Sequence, residues 1–350
     1  MKQKSWKIAL AAAVGVSMLA SQAHADAKIL KFGHDNKDDP FENPAHACTA
    51  VFANIIEADT NGSVKVEVYP SNQLGGAKEH VQMVRDDVLQ ATLTSTGALS
   101  SYYPRIDVLN LAFAFDNNAS TYQVFDGPFG QTLAKDIETT LGDVEVLGFP
   151  DTGGFFAVTN SKHPIETLDD FKGIRVRTMT LPSHQKIIQA LGGEAYPLAW
   201  GEVYSGLQTG VIDGQMNPVP IISFAKFEEV QEYMTLTNHL FSPYTFMLSK
   251  TFWDSLNKDE QHVVRYAAES CVAASRGLSR IIEASDRGLA GLKEKIKVTA
   301  LTPTDRAAFK QATQPVVIQH VTETYGDEGV TLLSLFQEEV NKANAKEYLE

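Results

Sequence analysis

The chain contains little cysteine, with Cys48 and Cys271 as the only two among 350 residues. They form no CxxC pair and no spacing typical of metal ligands, which argues against a thiolate metal centre or a redox dithiol. Both lie in helical patterns with small and apolar neighbours, AHACTAVFA and ESCVAASRG, where an unpaired buried cysteine is common. In an oxidising compartment the two could instead form one disulfide. The surroundings favour two buried thiols over a disulfide.

Long apolar runs are missing as well, with one exception near the start of the chain. The run from Ile8 to Ala20 follows three lysines within residues 2–7 and precedes the small-residue pattern Ala23-His24-Ala25. Its length falls short of the roughly 20 residues that span a bilayer. The pattern therefore predicts a secretory signal peptide, residues 1–25, cleaved after Ala25, with an uncleaved anchor as the alternative.

Positive charge is in the minority, with 30 Lys and Arg against 43 Asp and Glu, a formal net charge of −13. Removal of the signal peptide takes away three lysines and no acids, so the charge falls to −16. Such a surface argues against nucleic-acid and anionic-membrane partners. It does not exclude an anionic ligand, because the local field in a buried cleft matters more than the net charge. The length suggests two domains, although one large domain remains possible.

Catalytic signatures are also absent, since the chain has no GxSxG, HExxH, GxxxxGK[ST] or GxGxxG motif. Asp169-Asp170 is better interpreted as part of a turn than as an acid/base pair. The histidines beyond residue 25 lack metal-ligand spacing and are interpreted as surface or capping groups: His34, His46, His80, His163, His184, His239, His262 and His320. The sequence therefore predicts no enzyme activity, no cofactor and no metal site.

Strand and helix patterns alternate along the chain, which indicates an α/β fold. A helix is predicted from about Asn43 to Ala58, and Asp151–Gly154 reads as a flexible domain crossover. A long helical pattern from about Trp253 to Lys293 could brace two domains. The tail from Pro303 predicts two helices with a break at 326–329. The predicted strands cover residues 28–34, 63–69, 90–96, 145–149, 155–160 and 244–249.

The strongest functional signal lies between Phe171 and Pro218. FKGIRVR, residues 171–177, predicts a short strand with Arg175 and Arg177 on one face, so that one of them can point inward. A helix over 182–193 and a second helix ending at Gly210 follow, and then a strand that reaches Asn217. This strand-helix-helix-strand unit is typical of a small-anion pocket.

Three longer motifs resemble one family along nearly the whole chain: YPSNQLGG at 69–76, TNSKHPIETLDDFKGIRVR at 159–177 and LAWGEVYSGLQTGVIDGQMNP at 198–218. The family is the DctP-like solute receptors of tripartite ATP-independent periplasmic (TRAP) transporters. The resemblance implies a two-domain periplasmic binding protein fold that closes at hinge crossovers on a small organic anion. It also implies delivery of that ligand to the small and large subunits of a membrane permease.

The resemblance also implies a division of the chain into two domains. Domain I would contain residues 26–149 plus about 238–280, and domain II residues 150–237 plus about 281–350. The ligand would bind between them.

In this family the second basic residue of the KGxxxR strand is the selectivity arginine, which falls on Arg177. Its planar fork matches a carboxylate, and bonds of this kind contribute about 1.5 to 3 kcal/mol each in a desolvated site. Arg175 would face solvent or bridge to an acid. Asn217 resembles the pocket asparagine, which can donate to the ligand carboxylate and accept from a ligand hydroxyl or amine. Trp200 matches an aromatic pocket position.

Three further ligand contacts are expected at strand ends of the opposite domain, namely Asp35, Ser95 and Tyr244. The sequence departs from the family at Phe155-Phe156, where several members carry another arginine, and Phe155 is expected to form an apolar wall. A pocket with one arginine suits a small monocarboxylate or a zwitterion better than a dicarboxylate or a large sugar acid, and a sulfonate also fits. An ATP-driven (ABC-type) amino-acid receptor and an exported enzyme are the alternatives.

Overall fold

The computed structural model describes residues 27–346, so the predicted signal peptide lies outside the described residues. This part of the chain contains two β-sheets surrounded by helices. The strands are β1 (Lys28–Gly33), β2 (Val64–Tyr69), β3 (Ala91–Thr94), β4 (Val144–Gly148), β5 (Phe156–Asn160), β6 (Arg175–Thr178), β7 (Glu194–Pro197), β8 (Gly214–Pro218), β9 (Tyr233–Leu236), β10 (Thr245–Ser249) and β11 (Lys297–Ala300).

The helices vary in length from four residues to 42. They are α1 (Pro44–Asp59), α2 (Ala77–Arg85), α3 (Thr96–Leu99), α4 (Asn118–Asp126), α5 (Pro128–Leu141), α6 (Pro182–Ala190), α7 (Val203–Gln208), α8 (Val219–Phe224), α9 (Lys250–Ser255), α10 (Lys258–Glu283), α11 (Leu289–Lys293) and α12 (Pro303–Asn344). Short 3-10 helices cover Pro104–Asn110, Leu168–Phe171, Trp200–Glu202 and Phe227–Glu229. Within residues 27–346, no helix combines the length and apolarity that crossing a membrane requires.

The two sheets are built mainly from parallel strands whose carboxyl ends share an edge. The first has the order β2-β1-β3-β10-β4, with β1 parallel to β2 and β3 and with β10 antiparallel to its neighbours. The second has the order β11-β9-β5-β8-β6-β7, with β6 parallel to both β7 and β8. In folds of this kind, ligands bind beyond the carboxyl ends of the strands.

Two connections between the sheets, residues 149–155 and 237–244, run side by side. Phe155 forms an antiparallel bridge with Phe241, and the Thr152 hydroxyl donates to the Ser242 carbonyl at 2.8 Å. The predicted crossover at 151–154 lies in the first connection. Gly154 has a φ of +99°, and a Cβ there would collide with the Arg280 guanidinium. Glycine is favoured at this position mainly by its backbone angle, because the Arg280 side chain could move away from a Cβ.

The long helical pattern predicted from 253 to 293 is divided in the structure. Asn257 begins α10 with a capping box, in which its side chain accepts from the Glu260 backbone N–H, and the helix ends at Glu283. The division follows from Asn257, whose capping geometry is extended and not helical. Helix α10 still braces the molecule, because it contacts α1 beside the first sheet and α8 beside the second.

The tail helix α12 has the predicted break, since Gly326 has a non-helical φ of 55° and ψ of −148°. This helix contacts α4 and α5 beside the first sheet and α6 beside the second, a second brace that sequence patterns did not reveal. The short strands β7, β9 and β11 were not predicted either. Each has only four residues, too few for an alternating pattern to stand out.

The preference for unpaired cysteines was wrong, because Cys48 and Cys271 form a disulfide. The bond joins α1 to α10, and both cysteines are fully buried. Ala45, one of the small neighbours that suggested ordinary core thiols, is buried in the same core cluster as the two cysteines, and so are Ala267 and Ala268 on α10. Small side chains allow the two helices to approach closely, which is also what a disulfide requires.

The interpretation of the histidines as surface or capping groups was also wrong for most of them. His34, His80, His184 and His239 are at most 2% exposed, and His320 is 8% exposed. Burial lowers the pKa of His34, His184 and His239 to about 3, so these imidazoles stay neutral at pH 7. The sequence signal for burial was weak, because a neutral imidazole needs only one or two partners to enter a core.

We expect acid to destabilise the protein through these neutral histidines. Their folded pKa lies below the unfolded value of 6.5, so the stability they confer is present above pH 6.5 and is lost as the pH falls toward 3. At pH 5, each of the three should lower the free energy of unfolding by about 2 kcal/mol. Urea unfolding at pH 7.5 and pH 5 measures the loss.

A matched pair of variants assigns this effect to burial. His184→Gln should retain a hydrogen bond to Asn110 and show a loss between pH 7.5 and pH 5 that is smaller by about 2 kcal/mol. His262→Gln, at an exposed position, should behave like the unmodified protein. Equal losses in the two variants would contradict the role given to the buried histidines.

Candidate ligand-binding cavity

A cavity of about 470 Å³ lies between the carboxyl-end edges of the two sheets. The first sheet contributes Asp35 after β1, Ser95 after β3 and Tyr244 before β10, and the second contributes Arg177, Trp200 and Asn217. Six of the seven residues predicted from the sequence therefore line one cavity, from both sides.

Arg177 is the most deeply buried charge of this cavity, with 3% of its surface exposed. Its Nε and Nη2 atoms donate to the Leu198 carbonyl at 3.0 and 2.7 Å, while Nη1 makes no hydrogen bond with residues 27–346. No carboxylate of the described chain forms an ion pair with it. Burial lowers the pKa of Arg177 to about 10, while Asp35 and Glu202 act in the opposite direction, so the guanidinium remains charged at pH 7.

Arg175 lies on the same strand but is neutralised by the protein itself. Its Nε and Nη2 donate to the two carboxylate oxygens of Asp213 at 2.9 and 2.7 Å, and Nη1 donates to the Val211 carbonyl. Arg175 is absent from the residues that line the cavity. The strand thus carries one arginine with an internal partner and one that faces open space.

Asp35 brings a carboxylate into the same cavity. Its Oδ1 accepts from Asn36 Nδ2 at 2.9 Å, and part of its surface remains exposed. Burial raises the pKa of Asp35 from 3.8 to about 6, although its own backbone N–H and the Arg177 charge both lower it. A carboxylate in this state favours a proton, or a ligand group that donates a hydrogen bond.

Asn217 is the fourth residue of β8, the strand that pairs with β6, on which Arg177 lies. The register pairs Arg177 with Gln215, so Asn217 lies two residues further along on the same face of the sheet. Asn217 Nδ2 donates to Gln215 Oε1 at 2.6 Å, and its Oδ1 accepts no hydrogen bond from residues 27–346. The carbonyl oxygen of this side chain is therefore available to the cavity.

Trp200, Ser95 and Tyr244 complete the predicted wall. The Trp200 ring packs edge-on against Phe227 at 5.8 Å, which anchors one side of it in the protein. Ser95 Oγ accepts from Ala98 N at 3.3 Å. The Tyr244 hydroxyl accepts from Asn36 Nδ2 at 2.8 Å, and burial raises the pKa of Tyr244, so its O–H proton is retained.

Phe155 was predicted to form the apolar wall, but the cavity is lined by Phe156. Adjacent residues of an extended chain point to opposite sides, so only one of the two rings can face the cavity. Phe155 packs instead against Phe241 of the neighbouring crossover, with ring centroids 6.1 Å apart. The register of β5 is not visible in the sequence, and the cavity wall is formed by Phe156 in place of Phe155.

Sequence reasoning missed several lining residues that lie beside the predicted ones. Leu198 directly precedes the Trp200 segment and supplies the carbonyl that holds Arg177, and Met179 follows β6. Lys78 and Glu79 come from the first turn of α2, directly after the YPSNQLGG motif. The YPSNQLGG motif resembled the family, but it was not assigned to the cavity. Its position directly before α2 was the sequence signal that could have indicated Lys78 and Glu79.

The charges around the cavity are mixed. Arg177 and Lys78 are the cations among the described lining residues, and the acids are Asp35, Glu79 and Glu202. Lys78, Glu79 and Glu202 are exposed, whereas Arg177 is buried and Asp35 is half-buried, so the last two are the most sheltered charges of the cavity. Residues 27–346 contain no group of three or more His, Cys, Asp or Glu that could hold a metal ion.

Comparisons with a family model and with a named relative find the same family. Residues 34–324 match the family model DctP, described as bacterial extracellular solute-binding protein, family 7. The chain is 30% identical to the C4-dicarboxylate-binding periplasmic protein DctP of Rhodobacter capsulatus, over 88% of this chain and 91% of the relative.

Two solved structures are similar over nearly their whole length. The sugar acid binding protein DctPAm of Advenella mimigardefordensis, in complex with galactonate, matches with a TM-score of 0.83 and 30% identity over 91% of this chain and 99% of that one. A TRAP periplasmic solute binding protein from Polaromonas sp. JS666, bound to D-erythronate, matches with a TM-score of 0.80 and 30% identity over 89% and 98%. They confirm the predicted α/β fold of two-domain periplasmic binding proteins, while the residue boundaries of the two domains stay a prediction.

The raised pKa of Asp35 leads to a test of the cavity in the absence of ligand. Because the folded pKa of about 6 exceeds the unfolded value of 3.8, this group favours folding below pH 3.8 and loses that contribution as the pH rises through 6. Asp35→Asn should therefore raise the free energy of unfolding at pH 7.5 by about 2 kcal/mol, after allowance for solvent screening. Urea unfolding should show the gain shrinking at pH 5. A gain that did not change with pH would contradict the assignment.

Proposed function

The chain belongs to family 7 of the bacterial extracellular solute-binding proteins, the DctP-like receptors of TRAP transporters, and on this basis we propose that it captures a small organic acid through Arg177. The observation that carries the proposal is the buried guanidinium, which faces a cavity without an acid partner from the described chain. A ligand carboxylate would supply the missing counter-charge.

The geometry around Arg177 suits a carboxylate. A guanidinium has five N–H donors, and the Leu198 carbonyl takes one from Nε and one from Nη2. Three N–H groups remain, two on Nη1 and one on Nη2, and neighbouring Nη atoms form the fork that binds two carboxylate oxygens. Because Leu198 fixes the guanidinium plane, little side-chain entropy is lost when the ligand binds.

The mixed charges of the wall favour a monocarboxylate or a zwitterion. A second carboxylate on the ligand would lie in a cavity whose other buried charge is Asp35, with Glu79 and Glu202 nearby. A hydroxyl or ammonium group would find acceptors there instead, and Phe156 and Trp200 would contact the carbon skeleton. A sulfonate would also satisfy the guanidinium. Tighter binding of a dicarboxylate than of every monoacid would overturn this preference.

Ligand binding would favour the closed arrangement of the two sheets, because only that arrangement contacts the ligand from both sides. Across the cleft, the Thr180 hydroxyl donates to the Gly97 carbonyl at 3.0 Å. A Cβ added to Gly97 would lie 2.8 Å from Met179 Cβ, so the opposing walls are in close contact here. The paired crossovers at 149–155 and 237–244 are the proposed hinge.

We place this receptor in the periplasm, after cleavage of residues 1–25, where it would deliver its ligand to the small and large permease subunits. Membership of family 7 supports this role over an ATP-driven (ABC-type) amino-acid receptor. It equally favours a binding protein over an exported enzyme. Ligand stabilisation without turnover of the bound acid would support that distinction.

A thermal-shift screen tests the function directly. Protein stripped of co-purified ligand would be heated with monocarboxylates, sugar acids, dicarboxylates, sulfonates and amino acids. A ligand at 1,000 times its dissociation constant stabilises the native state by about 4 kcal/mol, which a melting curve resolves. Stabilisation by one class of acid is expected. The absence of a shift with every acid would overturn the proposed function.

The role of Arg177 is tested by Arg177→Lys. Lysine keeps the charge but lacks the planar fork and the Nε donor to Leu198, so affinity for the acid found in the screen should fall about 10- to 100-fold. Isothermal titration calorimetry measures the change. Arg175→Lys on the same strand is the matched control and should bind normally, because Arg175 pairs with Asp213 outside the cavity. Near-normal affinity of Arg177→Lys would disprove the assigned role.

A further inference from the structure

We propose that a buried chain of hydrogen bonds fixes the Asn217 amide with its oxygen toward the cavity, so that the receptor selects acids carrying a hydroxyl or ammonium donor. The chain consists of Gln231, Thr159, Gln215 and Asn217. The selectivity part of this inference rests on the proposed function above. The orientation of the amide does not.

Two backbone carbonyls set the donor-to-acceptor direction of this hydrogen-bond chain at the end that is remote from the cavity. Gln231 is 3% exposed, and its Nε2 donates to the carbonyls of Asp213 at 3.2 Å and Val230 at 2.8 Å. A carbonyl oxygen can only accept, so the nitrogen of this amide must face them. Gln231 Oε1 therefore points the other way, toward Thr159.

Thr159 is the next member of the hydrogen-bond chain and keeps the same donor-to-acceptor direction. It is fully buried, and its Oγ1 lies 2.8 Å from Gln231 Oε1 and 2.9 Å from the Gln215 side-chain amide. The single hydroxyl proton must go to Gln231 Oε1, which has none to give. Thr159 can then only accept from Gln215, so Gln215 presents its Nε2 to the threonine.

The last step reaches the cavity. With Nε2 directed toward Thr159, the Oε1 atom of the buried Gln215 faces Asn217 and can only accept, which explains the 2.6 Å bond from Asn217 Nδ2. The orientation of Asn217 is thereby fixed by groups that can adopt no other polarity. Its Oδ1 lacks a partner in residues 27–346 and is the atom offered to a ligand.

This orientation gives the cavity an acceptor, Asn217 Oδ1, beside the second Nδ2–H, which no residue in 27–346 accepts. A ligand hydroxyl or ammonium can donate to Oδ1, whereas a keto oxygen facing it cannot form a hydrogen bond and would leave it unsatisfied. Sites built to bond a polar group discriminate strongly against analogues that lack it.

Thr159, Gln215 and Gln231 are positioning residues, since none of them lines the cavity. This separation allows the inference to be tested without changing any atom that would touch a ligand. Thr159→Val keeps the shape of the side chain but removes the hydroxyl, which leaves Gln215 and Asn217 free to turn over. Thr235→Val is the matched control, because Thr235 is 1% exposed in the adjacent strand β9 and its hydroxyl donates to the Ile165 carbonyl outside the chain.

The binding experiment uses four-carbon acids that differ in one group. By calorimetry, the best of 2-, 3- and 4-hydroxybutyrate and 2-aminobutyrate should bind the unmodified protein and Thr235→Val at least ten-fold more tightly than 2-oxobutyrate and butyrate. In Thr159→Val the preference over 2-oxobutyrate should fall to three-fold or less, with binding of the acid retained through Arg177. Gln215→Met, which breaks the chain one residue nearer the cavity, should act in the same way.

The outcomes separate this inference from the proposed function. Acids that bind without preference for a donor, or a preference that survives in both Thr159→Val and Gln215→Met, would overturn the inference and leave the receptor function standing. If no acid bound, the function would fail, and NMR of ligand-free protein would decide the orientation alone. Slow exchange of one Asn217 Nδ2 proton, retained in Thr235→Val and lost in Thr159→Val, is expected. Fast exchange in the unmodified protein would overturn the fixed orientation.

Discussion

The buried guanidinium of Arg177 is the constraint on which the cavity depends. A cation removed from water without a paired acid is costly, and the lowered pKa of Arg177, about 10, reflects that cost. The protein offsets part of it with the Leu198 carbonyl and with the more distant charges of Asp35 and Glu202. Full pairing with Asp35 would fill the site, as Asp213 does for Arg175. Under the proposed function, this incomplete compensation is what would leave Arg177 able to pair with a ligand carboxylate.

The topology explains how residues so far apart in sequence reach this guanidinium. Arg177 and Asn217 leave neighbouring parallel strands at the same edge, and Asp35 and Ser95 do so in the other sheet. The crossovers place the two edges opposite each other, and the disulfide between α1 and α10 holds together the elements beside the first sheet. The helix α10 itself reaches α8 near the second sheet, so the cleft is supported from behind.

The sequence could predict features that depend on local pattern or on long motifs. Arg177 and Asn217 lie in a block with clear strand and helix spacing, and the break at Gly326 follows from glycine chemistry. What failed depended on contacts between distant segments. Neither the Cys48–Cys271 pairing nor the burial of His184 is visible until helices from different regions pack together. Whether Phe155 or Phe156 faces the cavity depends on the strand register, because a shift of one residue reverses the direction of a side chain.

In the proposed receptor, selectivity would arise from opposed polarity within the cavity and not from net charge, which at −13 has the sign of the proposed ligand. Arg177 favours an anionic group, whereas Asp35 and the fixed oxygen of Asn217 favour a donor. A ligand that is acidic at both ends would pair one carboxylate with Arg177, but its other carboxylate would meet the acceptors Asp35 and Asn217. A simple amine would leave the guanidinium unpaired. An acid that also carries a donor answers both requirements. Because Thr159 and Gln231 hold the Asn217 amide through Gln215, part of the proposed specificity would be encoded in residues that do not line the cavity.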